Sequence, residues 1–223
     1  MTYRDVLKRV DHTLLKQPST WEQIREICDD AVKFGTASVC IPPSFVKQAS
    51  EYLGEKMPVC TVIRSEERRV GKEVKVFETK EALKDGAEEI DMVINIGWVK
   101  MGQYDKILEE INSLKEACGD HILKVIIETC LLTEEEKIKM CETVSASDAD
   151  FIKTSTGFSA AGATKPDVAL MKAHMAAGKK IKAAGGIADF CDAAEFVRLG
   201  ADRLGTSRLV EQAKKGVDLD AEI

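Results

Sequence analysis

The sequence predicts an α/β protein folded as one (β/α)8 TIM barrel, with residues 1–223 forming a single domain. Eight short apolar runs alternate with longer amphipathic stretches through all 223 residues. A parallel strand must be followed by a crossover segment, and eight tilted strands close into a packed barrel, so this alternation favours closure. No linker, proline-rich segment or low-complexity tract divides the chain, and a hydrophobic content of 44% suits one large core. An open doubly wound sheet is the competing architecture. It usually carries a G-x-G-x-x-G turn after its first strand, whereas here Leu14-Leu15-Lys16-Gln17-Pro18 follows.

The elements follow in order. A first run at 10–14 is separated by Ser19-Thr20, a helix-start signal, from an amphipathic stretch at 21–34 that stops at Gly35. Runs at 37–41 and 59–63 follow, with Gly54 between them, and Gly86 precedes a run at 89–95. A second amphipathic stretch, 104–118, ends at Gly119 and leads to a run at 123–129. Thr133 with Glu136 forms a capping box before the helix expected at 134–144. The run at 151–154 is short, and Lys165-Pro166 opens a helix at 166–177 that stops at Gly178. Runs at 180–183 and 203–205 flank a last amphipathic stretch, 190–199, which ends at Gly200. In each helical stretch the apolar positions recur at three and four, the spacing that lines one face of a helix.

Composition removes several functions. A net charge of −6 disfavours a nucleic-acid or anionic-membrane surface while leaving room for a local anion pocket. No apolar run is long enough to span a bilayer, and the first thirteen residues are charged throughout, so a cytoplasmic protein is expected. The seven cysteines form no C-x-x-C pair and the three histidines are far apart, which predicts reduced thiols and no metal site.

Strand parity then selects candidate functional residues. In Ile90-Asp91-Met92-Val93-Ile94-Asn95 the apolar Ile90, Met92 and Ile94 suit the helix layer, which sends Asp91, Val93 and Asn95 into the barrel. The same rule turns Lys153, Lys182 and Glu128 inward. Ionisable groups in a packed interior must compensate one another or work. A single strand-end lysine is most often a surface group, but these four residues sit near the carboxyl ends of four different strands, where barrel active sites are assembled. A desolvated lysine beside a second ammonium is biased toward the neutral amine, which can attack a carbonyl, and a nearby carboxylate can move protons. Glu128 is expected to orient other groups. The glycine-rich exits Gly185-Gly186 and Gly205-Thr206-Ser207 suit an anion such as phosphate.

The chain resembles the deoxyribose-phosphate aldolase family nearly end to end. The resemblance is carried by Asp11-His12-Thr13-Leu14-Leu15, residues 89–97, Lys124-Val125-Ile126-Ile127-Glu128-Thr129, residues 151–158, Lys182-Ala183-Ala184-Gly185-Gly186 and Arg203-Leu204-Gly205-Thr206-Ser207. It implies a class I aldehyde-lyase on a (β/α)8 barrel that reversibly cleaves 2-deoxy-D-ribose 5-phosphate into D-glyceraldehyde 3-phosphate and acetaldehyde, a step of deoxyribonucleotide breakdown. By the same resemblance Lys153 matches the Schiff-base lysine, Lys182 the second lysine and Asp91 the proton-relay carboxylate. Gly157, Gly185, Gly186, Gly205 and Ser207 match the phosphate region. No cofactor or metal is implied, and a homo-oligomer, dimer or tetramer, is expected.

The sequence departs from that family at the C-terminus, where the tyrosine-bearing tail of some members is expected to be lacking after Ile223, and at two internal places. Ala188 stands where an arginine often follows Gly-Gly-Ile. After the third run, the family's Gly-Phe-Pro-x-Gly loop is replaced by Arg64-Ser65-Glu66-Glu67-Arg68-Arg69-Val70-Gly71-Lys72-Glu73, of which seven residues are charged. This decapeptide is the translation of AGATCGGAAGAGCGTCGTGTAGGGAAAGAG, which resembles a widely used sequencing-adapter oligonucleotide. The segment reads as a solvated charged loop or extra helical turn, as a new anion contact, or, fitting better, as read-through of such an oligonucleotide into the gene sequence; the protein as written is expected to have impaired activity, the alternative being a homologue that only binds a sugar phosphate.

Overall fold

The computed structural model describes residues 1–63 and 72–223. Its strands close a barrel in sequence order: β1 (Val10–Thr13), β2 (Ser38–Ile41), β3 (Val59–Ile63), β4 (Glu89–Val93), β5 (Ile122–Ile126), β6 (Phe151–Lys153), β7 (Lys180–Ala184) and β8 (Arg203–Thr206). Neighbouring strands are parallel, and β8 returns to β1 with Asp11 paired to Gly205. The helices are α1 (Tyr3–Leu7), α2 (Trp21–Phe34), α3 (Val46–Leu53), α4 (Lys72–Lys84), α5 (Ile96–Lys100), α6 (Tyr104–Cys118), α7 (Glu134–Ala146), α8 (Lys165–His174), α9 (Phe190–Arg198) and α10 (Arg208–Ala213). Among the described residues no helix is long and apolar enough to cross a membrane.

Local chemistry explains most boundaries. Thr133 N–H donates to Glu136 Oε2 at 2.8 Å while Glu136 N–H donates to Thr133 Oγ1 at 3.3 Å, so α7 begins at the expected capping box. Helix α2 ends at Gly35, whose φ of 63° is left-handed and favours a residue without a Cβ. Two runs are shorter than the alternation suggests. β4 stops at Val93, and Asn95 instead caps α5, its Oδ1 accepting from Trp98 N–H at 3.3 Å. Asn95 therefore does not extend the inward row of β4. β5 stops at Ile126, and Glu128 takes a left-handed φ of 54°.

The outward strand faces form the main core with the helices. Ile90, Met92, Val125, Ile152, Ile181 and Leu204 are all buried there. Each such side chain contributes about 1.5–3 kcal/mol through removal from water. The inward residues Cys40, Cys60 and Val62 make a separate small cluster inside the barrel. Behind β4, buried Lys75 donates to Val93 O at 2.7 Å and pairs with buried Glu110 at 2.8 Å, fastening α4 and α6 to the strand that carries Asp91.

Candidate active site

The strand pairing sets the layout of the site. Lys153 is in register with Ile126 of β5 on one side and Lys182 of β7 on the other, so two lysines project from adjacent strands at one level. Asp91 of β4 reaches both. Lys153 Nζ and Lys182 Nζ each donate to Asp91 Oδ2 at 2.7 Å. The second oxygen, Oδ1, accepts from Lys124 Nζ at 3.0 Å and from Cys60 Sγ at 3.3 Å. Lysine and aspartate are rarely buried unless paired, yet Lys153 is 3% exposed and Lys182 and Asp91 are buried.

Beneath this layer the ion pairing continues. Lys182 pairs with Asp11 Oδ2 at 2.5 Å, and Lys124 with Glu89 Oε2 at 2.5 Å. Arg203 joins Asp11 and Glu89: its Nη1 donates to Asp11 Oδ1 at 2.5 Å and to Glu89 Oε2 at 3.2 Å. Ser38 Oγ also donates to Asp11 Oδ1, at 2.8 Å. Parity along their own strands could have found Lys124, two turns of the alternation before Glu128, and Glu89, two residues before Asp91. Asp11 and Arg203 lay within quoted motifs without a role.

Electrostatics follow from these contacts. Burial alone would raise the Asp91 carboxyl, but Lys124, Lys153 and Lys182 together hold it well below the usual carboxylate range. Burial opposes the charge on Lys182, yet Asp11 and Asp91 outweigh it and hold its ammonium above that of an ordinary lysine. Lys124 is raised in the same way against its burial by Asp91, Cys60, Asp11 and Glu89. The Cys60 thiol is pushed well up, first by burial.

Above the lysines lies a cavity of about 170 Å³ whose lining includes Lys153, Thr156, Gly157, Gly185, Ser207 and Arg208. Gly186 and Gly205 line it as well, so all five glycine and serine candidates meet at one opening. Gly157, Gly185 and Gly186 have φ values of 88°, 79° and 77°, a backbone region that favours residues without a Cβ. Gly205 is required for another reason, because a Cβ there would stand 2.9 Å from the Ala184 Cβ. The sequence reasoning missed Gly162. It packs so closely on Gly185 that a Cβ would lie 2.3 Å from the Gly185 carbonyl, and Ala163 N–H donates to both Ala184 O and Gly185 O at 3.0 Å. Arg208, at the rim, was also missed.

Glu128 is buried just past β5, between Ile127 and Thr129, whose N–H groups donate to Lys153 O and Thr154 O. Its two oxygens accept from Thr156 N–H at 3.1 Å and Thr156 Oγ1 at 2.6 Å, which ties it to the start of the β6–α8 connection. The charged segment Arg64 to Glu73 lies largely outside the described residues, which resume at 72 as α4 begins.

Among the described residues two groupings approach metal-ligand spacing, Cys40 with Cys60 and Asp91, and Asp11 with Cys60 and Glu89. Their carboxylates are already paired with Lys124, Lys153, Lys182 or Arg203, whose charges would repel a divalent ion. The arrangement suits metal-free chemistry at a carbonyl: a buried amine facing a cavity, a carboxylate and a fixed ammonium beside it, and an anion cradle opposite.

Comparison with known proteins agrees with this geometry. Residues 5–211 match the DeoC/LacD family aldolase. A deoxyribose-phosphate aldolase of Streptococcus agalactiae is 55% identical over 214 residues, 96% of each chain. One from Clostridioides difficile is 54% identical over 211 residues, 95% of this chain and 96% of the other. The structure superimposes with a TM-score of 0.87 on the deoxyribose phosphate aldolase of Aeropyrum pernix, described as a unique tetrameric structure, at 27% identity over 97% of this chain and 94% of that one.

Proposed function

This chain belongs to the DeoC/LacD family of aldolases, and we propose that it is a deoxyribose-phosphate aldolase whose residues 1–223 act as one catalytic domain with Lys153 as nucleophile. The observation that carries the reading is the shared oxygen of Asp91, which holds Lys153 and Lys182 together below a glycine-lined cavity. Lys153 Nζ attacks C1 of open-chain 2-deoxy-D-ribose 5-phosphate, and loss of water gives an iminium. The iminium withdraws electrons from the C2–C3 bond. That bond breaks as the C3 hydroxyl loses its proton, giving D-glyceraldehyde 3-phosphate and an enamine on Lys153. Protonation of the enamine carbon and addition of water release acetaldehyde and restore the amine. Asp91, backed by the permanently charged Lys182, relays these protons.

Gly157, Gly185, Gly186, Gly205 and Ser207 receive the phosphate through backbone N–H groups and a hydroxyl, with Arg208 adding charge at the rim. Where Ala188 offers no cation, Arg208 supplies one among the described residues that line the cavity. We place the enzyme in the cytoplasm as a homo-oligomer, with no nucleic-acid or membrane partner.

The test is turnover of 2-deoxyribose 5-phosphate against ribose 5-phosphate and unphosphorylated deoxyribose. The deoxy phosphate is expected to be cleaved far faster than either. Equal rates would contradict the substrate assignment.

The seven charges within the decapeptide Arg64 to Glu73 support a second reading, a sugar-phosphate binder with impaired turnover. Exchanging that decapeptide for a Gly-Phe-Pro-type loop separates the two. A large gain in kcat identifies the charged segment as the defect, and resequencing the gene shows whether the segment is native.

A further inference from the structure

The carboxylate of Asp91 is divided between two sides of the barrel. On one edge of β4, Asp91 is in register with Lys124 of β5, and on the other edge lies β3, which carries Cys60. These near neighbours share one oxygen: Lys124 Nζ donates to Oδ1 at 3.0 Å and Cys60 Sγ donates to it at 3.3 Å. The lysines of β6 and β7 share the other, each donating to Oδ2 at 2.7 Å. The last torsion of an aspartate is broad and roughly two-fold, so nothing in the side chain itself assigns its oxygens to these partners. The donors around it must do so.

Lys124 suits that task. It is fully buried and is not among the residues that line the cavity above Lys153. Its ammonium faces three near acceptors, one for each N–H: Asp91 Oδ1, Cys60 Sγ at 3.4 Å and Glu89 Oε2 at 2.5 Å. Glu89 is itself held by Arg203, so the anchor behind Lys124 is fixed in turn. Burial keeps the Cys60 thiol protonated and therefore a donor. We propose that Lys124 is a positioning residue that pins Oδ1 of Asp91 and thereby reserves Oδ2, the oxygen facing Lys153, as the atom that carries the proton. The proposal rests on the reading of Lys153 as nucleophile.

The lone pairs support the assignment. Oδ1 receives two donors, neither of which enters the reaction, and has no lone pair to spare. Oδ2 also receives two, but formation of the Schiff base leaves Lys153 Nζ with a single N–H, so Oδ2 is the oxygen able to release a donor and take up a proton. Acetaldehyde alone exposes this step. The Lys153 amine adds to the carbonyl carbon and, with uptake of one proton and loss of water, becomes an iminium. A methyl proton then passes to Oδ2, its C–H electron pair becomes the C=C bond, and the C=N pair returns to nitrogen to give the enamine. In D2O the reverse of these steps returns acetaldehyde with deuterium on its methyl carbon.

The experiment compares two readouts on the same preparations: borohydride trapping of acetaldehyde at Lys153, which needs only the iminium, and deuterium entry into the acetaldehyde methyl group, followed by NMR across a pH series. Lys124→Met is expected to keep trapping near the level of the unaltered protein and to slow deuterium entry by about 10²-fold at every pH, as for a misplaced reacting group. Lys124→Met combined with Glu89→Gln removes both members of the buried pair, leaves no carboxylate stranded at position 89, and carries the test if the single variant does not fold. A gap between the two readouts is what a purely structural role would not give. Loss of trapping and exchange in equal proportion, or loss of neither, overturns the proposal. Recovery of exchange at high pH overturns it too, since Lys124 would then act through its charge alone. Absence of an adduct at Lys153 in the unaltered protein is a separate failure: it overturns the nucleophile reading, and the proposal with it.

Discussion

Lys153 and Lys182 donate to the same oxygen of Asp91, each at 2.7 Å, while the other oxygen is taken by Lys124 and Cys60. Lys153 thus shares its Asp91 oxygen with Lys182, which has Asp11 as a second anionic partner. A change of proton at Lys153 is felt at once by an ammonium that Asp11 and Asp91 hold charged.

Asp91→Asn keeps the shape of this hub and removes its charge. Three lysines then lose their common anion, so the variant should be less stable by about 3–5 kcal/mol and slower in kcat by about 10² to 10⁴-fold. Denaturant unfolding and steady-state kinetics on the same preparation check both. Retention of near-normal kcat would remove Asp91 from the proton relay.

Gly162→Ala tests the anion cradle from a residue outside the lysine cluster. Its Cβ would collide with the Gly185 carbonyl, so the loop after β7 must move. The expected result is a KM for the phosphorylated substrate raised by at least about tenfold, as for a displaced positioning group, with acetaldehyde adduct formation at Lys153 largely kept. Equal loss of both would show that the glycine supports the barrel rather than the phosphate.

His12 gives the fold a pH dependence of its own. It is buried on β1, and burial pushes its imidazole down to about 4 against the opposing pull of Asp30. The unfolded chain, titrating near the ordinary 6.5, takes up the proton first as pH falls. The stability that comes from keeping His12 neutral is therefore complete above about pH 6.5 and lost progressively toward pH 4, up to about 3 kcal/mol. In a series of unfolding curves over that window, His12→Gln should show a shallower decline than the parent. Parallel curves would mean that His12 titrates normally in the folded state.

The barrel and the meeting of Lys153, Lys182 and Asp91 were legible because a period of two fixes which side of a strand a residue faces, and each of the three has outward apolar neighbours on its own strand. That rule works only while the strand lasts. It failed at Asn95, whose side chain prefers to cap α5, and gave no backbone account of Glu128, where the chain has already turned left-handed. Lys124 and Glu89 were open to the same reasoning and were overlooked. The contact of Gly162 with Gly185 has no local signal, since it joins loops that follow different strands. The ion-pair network likewise appears only when residues from β1, β4, β5, β6, β7 and β8 are placed together.

The central claim is that Lys153 forms the covalent intermediate. It is tested most directly by incubating the protein with acetaldehyde and borohydride and locating the reduced adduct by peptide mass spectrometry. The predicted result is a single two-carbon adduct on Lys153, absent in Lys153→Leu and retained in Lys172→Leu, a control at an exposed lysine of α8. An adduct on another lysine, or unchanged labelling in Lys153→Leu, would contradict it.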